Sequence, residues 1–211
     1  MNENLFVKAI KIEEKSRNFE GIRYLLGGLK DVPFERSWRM ILEGALFEGR
    51  CGNRETARKA FRHLIKNCQS YAPVYLEASK YEEREGEVEK ALIICDEGLQ
   101  YNCKYGPLWF QYLRLYEKTG CKAKIRYDGL EGVLDMMFHN INKELYWKVY
   151  IEAAQTYERL LDNDSTFEYL MNSVTSSPEN LKWKIWIIAS RSEYKLGNYK
   201  NARKLIERCL S

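Results

Sequence analysis

Side chains that commonly perform catalysis or bind metals are sparse in this chain of 211 residues. It has two histidines, His63 and His139, and neither has a cysteine or histidine partner at the spacing of a metal site. The six cysteines form no CxxC pair, and no GxxxxGKS/T or GxGxxG phosphate-binding motif occurs. No residues mark a Ser–His–Asp or Cys–His site either. We therefore predict that the protein is not an enzyme and uses no cofactor, metal or small-molecule substrate.

Basic side chains recur at helical spacing. One stripe has four-residue spacing, which places its members on a single helix face: Arg54, Arg58, Arg62 and Lys66. Two further clusters contain Lys122, Lys124 and Arg126, and Lys200 and Lys204. These stripes could track the phosphates of single-stranded RNA, or they could be ordinary solvated helix faces. An acidic run over residues 82–89 interrupts the track and the net charge is only +4, so we favour solvated faces.

The elements that would carry these residues are repeated helical hairpins. A small or turn-forming residue separates two amphipathic stretches at six marker positions: Asn18, Gly52, Gly86, Gly120, Asp162 and Gly197. Successive intervals are 34, 34, 34, 42 and 35 residues, a period typical of helical repeat proteins. Between the markers, apolar residues recur at the spacing of one helix stripe, as in Ala57, Phe61 and Leu64.

This pattern predicts twelve helices and no strand. The expected ranges are 2–16, 19–30, 33–50, 53–68, 73–85, 87–101, 106–119, 122–138, 142–161, 164–175, 178–196 and 198–210. Because one helix pair cannot bury its apolar face alone, we expect an all-α, right-handed α-α superhelix of about six two-helix repeats. No low-complexity linker divides the chain, which predicts one domain over 1–211. Its repeats would span about 1–31, 32–70, 71–104, 105–140, 141–176 and 177–211.

A glutamate lies four residues before most markers. The positions are Glu14, Glu48, Glu82, Glu158 and Glu193. Since a fold needs such a residue in every unit whereas an active site needs it once, we interpret these glutamates and the marker glycines as structural. We expect partly buried ion pairs between the two helices of one repeat, Glu48 with Arg58 and Glu193 with Arg203.

Three tryptophans fall outside the large apolar position that recurs eleven residues before each marker. They are Trp38, Trp147 and Trp183. Because tryptophan is enriched at the energetic centres of protein interfaces, these residues are candidates for partner contact. The alternative is packing against an adjacent repeat, which we hold to be the better interpretation.

Two segments resemble the HAT (half-a-TPR) repeat: WIIASRSEYKLGNYKNAR at 186–203 and YLEASKYEEREGEVEKA at 75–91. The glutamate four residues before the glycine favours HAT over an ordinary tetratricopeptide repeat (TPR), which usually has tyrosine there. The resemblance covers essentially the whole chain and is to the crooked-neck and suppressor-of-forked type of protein. It implies a scaffold of a nuclear RNA-processing assembly, acting in splicing, 3′-end formation or ribosomal RNA maturation.

The partners that the resemblance implies are other proteins of a larger assembly, with a homodimer as a further possibility. Two alternatives stay open: a direct single-stranded RNA binder that uses the basic stripes, and a general TPR-type adaptor outside RNA biology. The N-terminal residues lack the apolar core of a signal peptide and no apolar run reaches membrane-spanning length, so we expect an intracellular protein without membrane contact. The last repeat lacks a polar capping helix, which predicts a longer repeat array or a face covered by a partner or a second copy.

Overall fold

The computed structural model describes residues 3–120 and 129–210. In these two ranges the regular structure is helical throughout, which confirms the predicted all-α fold. The described ranges contain twelve α-helices: α1 Glu3–Lys15, α2 Phe19–Gly27, α3 Phe34–Arg50, α4 Arg54–Asn67, α5 Ala72–Arg84, α6 Val88–Tyr101, α7 Gly106–Lys118, α8 Gly129–Asn140, α9 Tyr146–Arg159, α10 Asn163–Ser176, α11 Lys182–Lys195 and α12 Tyr199–Leu210. Short 3₁₀ helices at Gly28–Asp31, Lys143–Leu145 and Glu179–Leu181 follow α2 and precede α9 and α11.

The helices group into two compact units. One comprises Met1–Asn102 with hairpins α1–α2, α3–α4 and α5–α6, and the other comprises Cys103–Ser211 with hairpins α7–α8, α9–α10 and α11–α12. The division falls next to the predicted boundary between the third and fourth repeats. The prediction of a single domain over 1–211 concerns how these units combine, and it stays a prediction.

The first helix of each hairpin is followed by a residue in the left-handed conformation. In four repeats this residue is the marker glycine, at 52, 86, 120 and 197, with φ between 69° and 83°. The other two markers were placed one residue too late, because the left-handed residues are Arg17 (φ 58°) and Leu161 (φ 63°). Asn18 and Asp162 instead cap the following helix, with side chains that accept from the backbone N–H of Gly21 and Ser165. Neither arginine nor leucine favours a positive φ, so their residue types do not indicate these two turns.

A backbone hydrogen bond across the turn fixes the repeat register. The backbone N–H of the residue after the left-handed one donates to the carbonyl of the residue four positions before the left-handed one. Asn53 donates in this way to Glu48, and Glu87 to Glu82. This six-to-one bond is typical of a helix that ends in a left-handed residue. In the fifth repeat the same bond joins Asp162 to Tyr157, so Tyr157 occupies the position that we had assigned to Glu158.

The register of the turns also defines a buried position in the second helix of each hairpin. The position five residues after the turn is Ile22 in the first repeat and Thr166 in the fifth. These side chains are buried, as are those at the same position in three other repeats, Ala57, Ala91 and Ala202. The position therefore faces the interior of the hairpin in every repeat where the structure describes it.

Neighbouring hairpins share their hydrophobic cores. In the first unit, Phe6 of α1, Ile22 of α2 and Phe47 of α3 belong to one buried cluster. In the second unit, Ala154 of α9, Leu170 of α10 and Ile185 of α11 do the same. Each cluster combines both helices of one hairpin with the first helix of the next, which is why a hairpin depends on its neighbour for burial.

Ion pairs also join neighbouring hairpins, and here the prediction of pairs within one repeat was wrong. Arg58 of α4 contacts Glu82 of α5 in a bidentate pair, with Nε–Oε1 at 2.9 Å and Nη2–Oε2 at 2.7 Å. Glu48 of α3 is held by Arg23 of α2 at 3.0 and 3.3 Å, and not by Arg58. Each of these arginines lies six residues after its turn and reaches the next hairpin. We call them cross-hairpin pairs.

The expected pair between Glu193 and Arg203 does not form either, because the residue that reaches this glutamate position comes from the preceding hairpin. The residue that would reach Glu193 from the preceding hairpin is Phe167, six residues after the turn at Leu161. Phenylalanine cannot donate to a carboxylate, and within the described residues the buried Oε2 of Glu193 has no hydrogen-bond partner.

A second set of ion pairs joins consecutive first helices. Three glutamates lie three residues before their turns, and each pairs with a base two residues before the next turn. The pairs are Glu14 with Arg50 at 2.7 Å, Glu117 with Arg159 at 2.5 Å and Glu158 with Lys195 at 2.9 Å. Glu158 is therefore a structural residue, but at a different repeat position from Glu48 and Glu82.

Hydrogen bonding keeps Glu48 ionised. Burial by itself raises the pKa of the Glu48 carboxyl, but hydrogen bonds from Arg23 and Asn53, with the charge of Arg23, bring it below its usual value. Glu158 shows the same balance. Burial raises the pKa of its carboxyl, but hydrogen bonds from Lys195 and Ser192 outweigh burial and bring the pKa below its usual value. The hydrogen bonds with Glu82 raise the pKa of Arg58.

We predict that Arg58→Met destabilises the first unit by about 1–3 kcal/mol. The change leaves the carboxylate of Glu82, whose side chain is 9% exposed, without its cation, and a fully buried pair would cost about 3–5 kcal/mol. The matched control is Arg54→Met, because Arg54 is 65% exposed in its pair with Glu85, against 24% for Arg58, and a pair with so exposed a cation should contribute about 1 kcal/mol or less. Urea denaturation followed by circular dichroism measures both, and equal losses would contradict the prediction.

The contribution of Glu48 should depend on pH. A carboxyl group whose pKa is lowered by folding stabilises the protein above the pKa of the unfolded chain, near 4.5, and this stabilisation is lost as the pH falls through the folded pKa. We therefore expect wild type to exceed Glu48→Gln in urea midpoint at pH 7, with the difference shrinking below pH 4.5. A difference of the same size at pH 7 and pH 3 would show that the charge of Glu48 does not contribute.

Candidate protein-interaction surface

An open apolar groove lies in the first unit between the second helices of neighbouring repeats. We call it the α2–α4 groove. Its floor is α3, with Ile41, Gly44 and Ala45, and its volume is about 630 Å³. Leu26 and Ala60 line the walls from α2 and α4. The groove exists because the second helices stand apart while the first helices pack side by side, as α1 does on α3.

The rim of the α2–α4 groove carries basic and amide groups. Lys30 lies at one wall, and His63 and Asn67 lie at the other, where the Asn67 Nδ2 donates to the carbonyl of His63 at 2.7 Å. The His63 ring packs edge-on against Phe34, with centroids 5.6 Å apart, which holds the imidazole at the groove edge. An apolar floor with a few positioned polar groups is the usual form of a site for peptides or other ligands.

Gly27 and Gly28 lie at the end of α2 and differ in their relation to this groove. Gly27 lines the groove and Gly28 does not. Both have right-handed helical backbone angles, and a Cβ added at either would meet no atom within 4 Å. A side chain introduced at Gly27 would therefore stand at the wall of the groove, with no steric clash at its Cβ.

A second groove, between α4 and α6, includes most of the predicted basic stripe. Arg58, Arg62 and Lys66 line it on the α4 side, over a floor of Ala78 and Glu82. The structure does not present this stripe as a free row of cations. Arg58 is paired with Glu82, and Arg54, outside the groove, is paired with Glu85 at 2.5 Å. Acids of the following hairpin thus neutralise two of the four members.

The other basic clusters are separate from this stripe. Lys122, Lys124 and Arg126 lie outside the described residues. Lys200 and Lys204 are both exposed on α12, in the second unit, and Lys204 shares a surface cavity with Glu193 and Glu207. The described cationic residues therefore form local patches that are mixed with acids.

The three candidate tryptophans share one repeat position. Trp38, Trp147 and Trp183 each lie fourteen residues before the left-handed residue of their turn, so they mark a second aromatic position that recurs in three repeats. Trp38 and Trp147 are each 8% exposed, whereas Trp183 is 47% exposed. The residue after each tryptophan is basic, and its cation lies 5.1 to 5.5 Å from the centroid of the indole ring. These residues are Arg39, Lys148 and Lys184. Trp183 is the member of the set that a partner can reach.

The described residues contain no group of histidine, cysteine and acidic side chains that could hold a metal ion. The thiol of Cys95 is buried and donates to Ser79 Oγ at 3.0 Å, and burial raises its pKa to about 12. Such a thiol stays protonated near neutral pH and is a packing group. No helix of the described ranges has the length and apolar character needed to cross a membrane.

Solved structures with similar folds are TPR proteins and related helical-repeat proteins. A TPR protein of Thermus thermophilus superposes with a TM-score of 0.54 at 16% identity, covering 90% of this chain and 98% of its own. Pseudomonas aeruginosa pilF gives 0.56 at 15% identity, over 83% and 77%. The human IFIT1 dimer, solved with m7Gppp-AAAA, gives 0.57 at 12% identity, over 99% and 54%. At these identities the likeness shows the fold alone.

Comparison with related sequences identifies the family of this chain. A TPR-containing protein of Dictyostelium discoideum is 43% identical over 182 residues, which is 85% of this chain and 14% of that protein. The chain therefore corresponds to a small part of that relative. The sequence model of the PRP6 TPR-like domain matches residues 1–211. The hairpin repeats, their shared cores and this match over the whole chain agree: the chain belongs to the PRP6 TPR-like domain family.

Proposed function

We propose that this protein is a non-catalytic scaffold that binds other proteins within a nuclear RNA-processing assembly, most specifically in pre-mRNA splicing. Membership of the PRP6 TPR-like family supports the RNA-processing role. The observation that carries the protein-binding role is the α2–α4 groove, an open apolar surface that the repeat geometry leaves between two second helices.

The chemistry of the groove indicates the kind of segment it would bind. Its floor offers the half-buried Ile41 to apolar anchor residues, and Lys30 and His63 on the rim can donate hydrogen bonds to carboxylates. A helix or extended peptide with apolar residues flanked by acids fits both features, as in other grooves that bind amphipathic segments. The small side chain of Ala60 on the α4 wall leaves room for the anchors.

The alternative of direct single-stranded RNA binding has less support. A surface that tracks a phosphate backbone needs a continuous row of available cations and aromatic stacking platforms. In the stripe on α4, Arg54 and Arg58 are already paired with Glu85 and Glu82. Breaking those pairs would offset much of the gain from phosphate contacts. A general TPR-type adaptor outside RNA biology uses the same groove and differs in the identity of the partner.

We predict that the protein, tagged and purified from nuclear extract, recovers proteins of the splicing machinery through the α2–α4 groove. Gly27→Glu should reduce this recovery severalfold, because it places a carboxylate over the apolar floor and beside the position of the partner's acids. Gly28→Glu is the matched control and should leave recovery unchanged. Quantitative mass spectrometry compares the three preparations.

Two outcomes of that purification would contradict the proposal. Recovery of proteins unrelated to RNA processing would favour the general adaptor. Equal recovery by wild type and Gly27→Glu would exclude the α2–α4 groove as the binding surface.

RNA binding is tested separately by titration at two salt concentrations. The scaffold proposal predicts weak association with single-stranded RNA that neither Arg62→Glu nor Lys66→Glu changes by more than about twofold. A true phosphate-tracking surface would bind tightly at low salt, lose about tenfold or more on raising the salt, and weaken in both variants. That result would favour the RNA-binding alternative.

A further inference from the structure

The groove between α4 and α6, which we call the α4–α6 groove, separates the second helices of the second and third hairpins. Its volume is about 660 Å³. The buried Phe61 and Ala78 form the apolar part of its floor, and Ile65 and Ile94 pack against that core and line the walls. A further hairpin of a repeat array would stack beside α5 and α6 and not between α4 and α6. The groove therefore stays open whichever hairpins precede or follow it.

Ile93 stands at the α6 rim of the α4–α6 groove with 57% of its surface exposed. It lies seven residues after the turn at Gly86. In three other repeats this position has a charged residue: Lys59, Glu168 and Lys204. At Ile93 the apolar surface instead continues from the floor of the groove to its rim. Contiguous apolar surface with polar residues around it is typical of a site for another protein.

The two rims of the α4–α6 groove differ in charge. On the α4 rim Arg62 and Lys66 are exposed, and within the described residues neither forms an ion pair. On the α6 rim the half-buried Glu97 also has no cationic partner among the residues that the structure describes. One rim is therefore basic and the other acidic over the half of the groove that lies away from the turns.

The charges nearer the turns are mostly paired. Arg58 is held by Glu82, and Lys90 by Glu87 at 3.1 Å. Glu55 lies in the first turn of α4, where the helix dipole favours an acid. The charges that a partner can pair with thus lie mainly in the other half of the groove.

The α2–α4 groove has a different charge pattern. Its rims carry Lys30 on the α2 side and His63 on the α4 side, so both can donate to carboxylates. The α4–α6 groove instead requires acids along one edge of the bound segment and a base along the other. The two grooves should therefore select different segments.

We propose that the α4–α6 groove binds an amphipathic helix of a partner protein, with carboxylates facing Arg62 and Lys66 and a basic residue facing Glu97. Apolar residues of that helix would pack on the groove floor and on Ile93. Arg62 and Lys66 lie one helical turn apart, which matches carboxylates four residues apart on a helix that runs alongside α4. This interaction goes beyond the proposed function, which the α2–α4 groove carries, and it uses different residues.

The experiment measures binding of the full chain to a labelled synthetic helical peptide by fluorescence anisotropy. The peptide has about 15 residues, with leucines along one face, glutamates along one edge and lysines along the other. We expect a Kd on the order of 10 µM for so small an interface. Ile93→Asp, and Arg62→Glu combined with Lys66→Glu, should each weaken binding about tenfold or more. The first puts a charge into the apolar contact, and the second opposes the glutamates of the peptide.

A second peptide, with lysines along both edges, tests the charge assignment. It should bind the double variant about tenfold more tightly than wild type, because the introduced glutamates and Glu97 then all meet lysines. Lys11→Glu and Gly27→Glu are the controls, since Lys11 is exposed on α1 and Gly27 lines the α2–α4 groove. Both should bind the first peptide as wild type does. Circular dichroism verifies that every variant is folded.

Three results would overturn the proposal. The first is the absence of saturable binding of the first peptide by wild type. The second is binding that Gly27→Glu abolishes and Ile93→Asp does not, which would place the peptide in the α2–α4 groove. The third is a single-stranded RNA oligonucleotide that binds more tightly than the peptide and loses its affinity in the double variant, which would assign the basic rim to RNA.

Discussion

A carboxylate that is largely removed from water needs a cation and hydrogen bonds at close range, and in this protein the neighbouring hairpin supplies them. Arg23 reaches Glu48 and Arg58 reaches Glu82 across the boundary between repeats. Since each pair needs two hairpins in one register, it selects that register among the many ways in which two apolar helix faces could slide. The apolar clusters supply most of the driving force for folding. They do not select the register, because hydrophobic burial is not directional.

The register itself begins at the turn. A left-handed residue ends the first helix, and the six-to-one hydrogen bond places the glutamate of that helix at a constant position relative to the second helix. The same spacing places Trp38, Trp147 and Trp183 at one site of the repeat and sets which face of a second helix borders a groove. The backbone geometry of the turn therefore determines both the ion pairing between repeats and the position of the groove.

The elements that depend on local sequence could be predicted, and those that depend on distant residues could not. Glycine at 52, 86, 120 and 197 and the helical period of apolar residues indicated the hairpins correctly. The markers at Asn18 and Asp162 were wrong because the left-handed residues, Arg17 and Leu161, are of types that rarely adopt a positive φ. The ion-pair partners were also wrong, since Glu48 contacts a residue 25 positions away and spacing alone did not say which hairpin would supply the cation. The α2–α4 groove depends on the separation of two second helices, which no single segment encodes.

A double-mutant cycle on the first unit tests most directly whether cations from neighbouring hairpins fix the register. The cycle compares the coupling free energy of Arg58 with Glu82 against that of Arg58 with Glu48, using urea denaturation of single and double variants. We expect about 1–3 kcal/mol for Arg58 with Glu82 and a value near zero for Arg58 with Glu48, because only the first two side chains share hydrogen bonds. Strong coupling between Arg58 and Glu48, with none between Arg58 and Glu82, would contradict the account and restore pairing within a repeat.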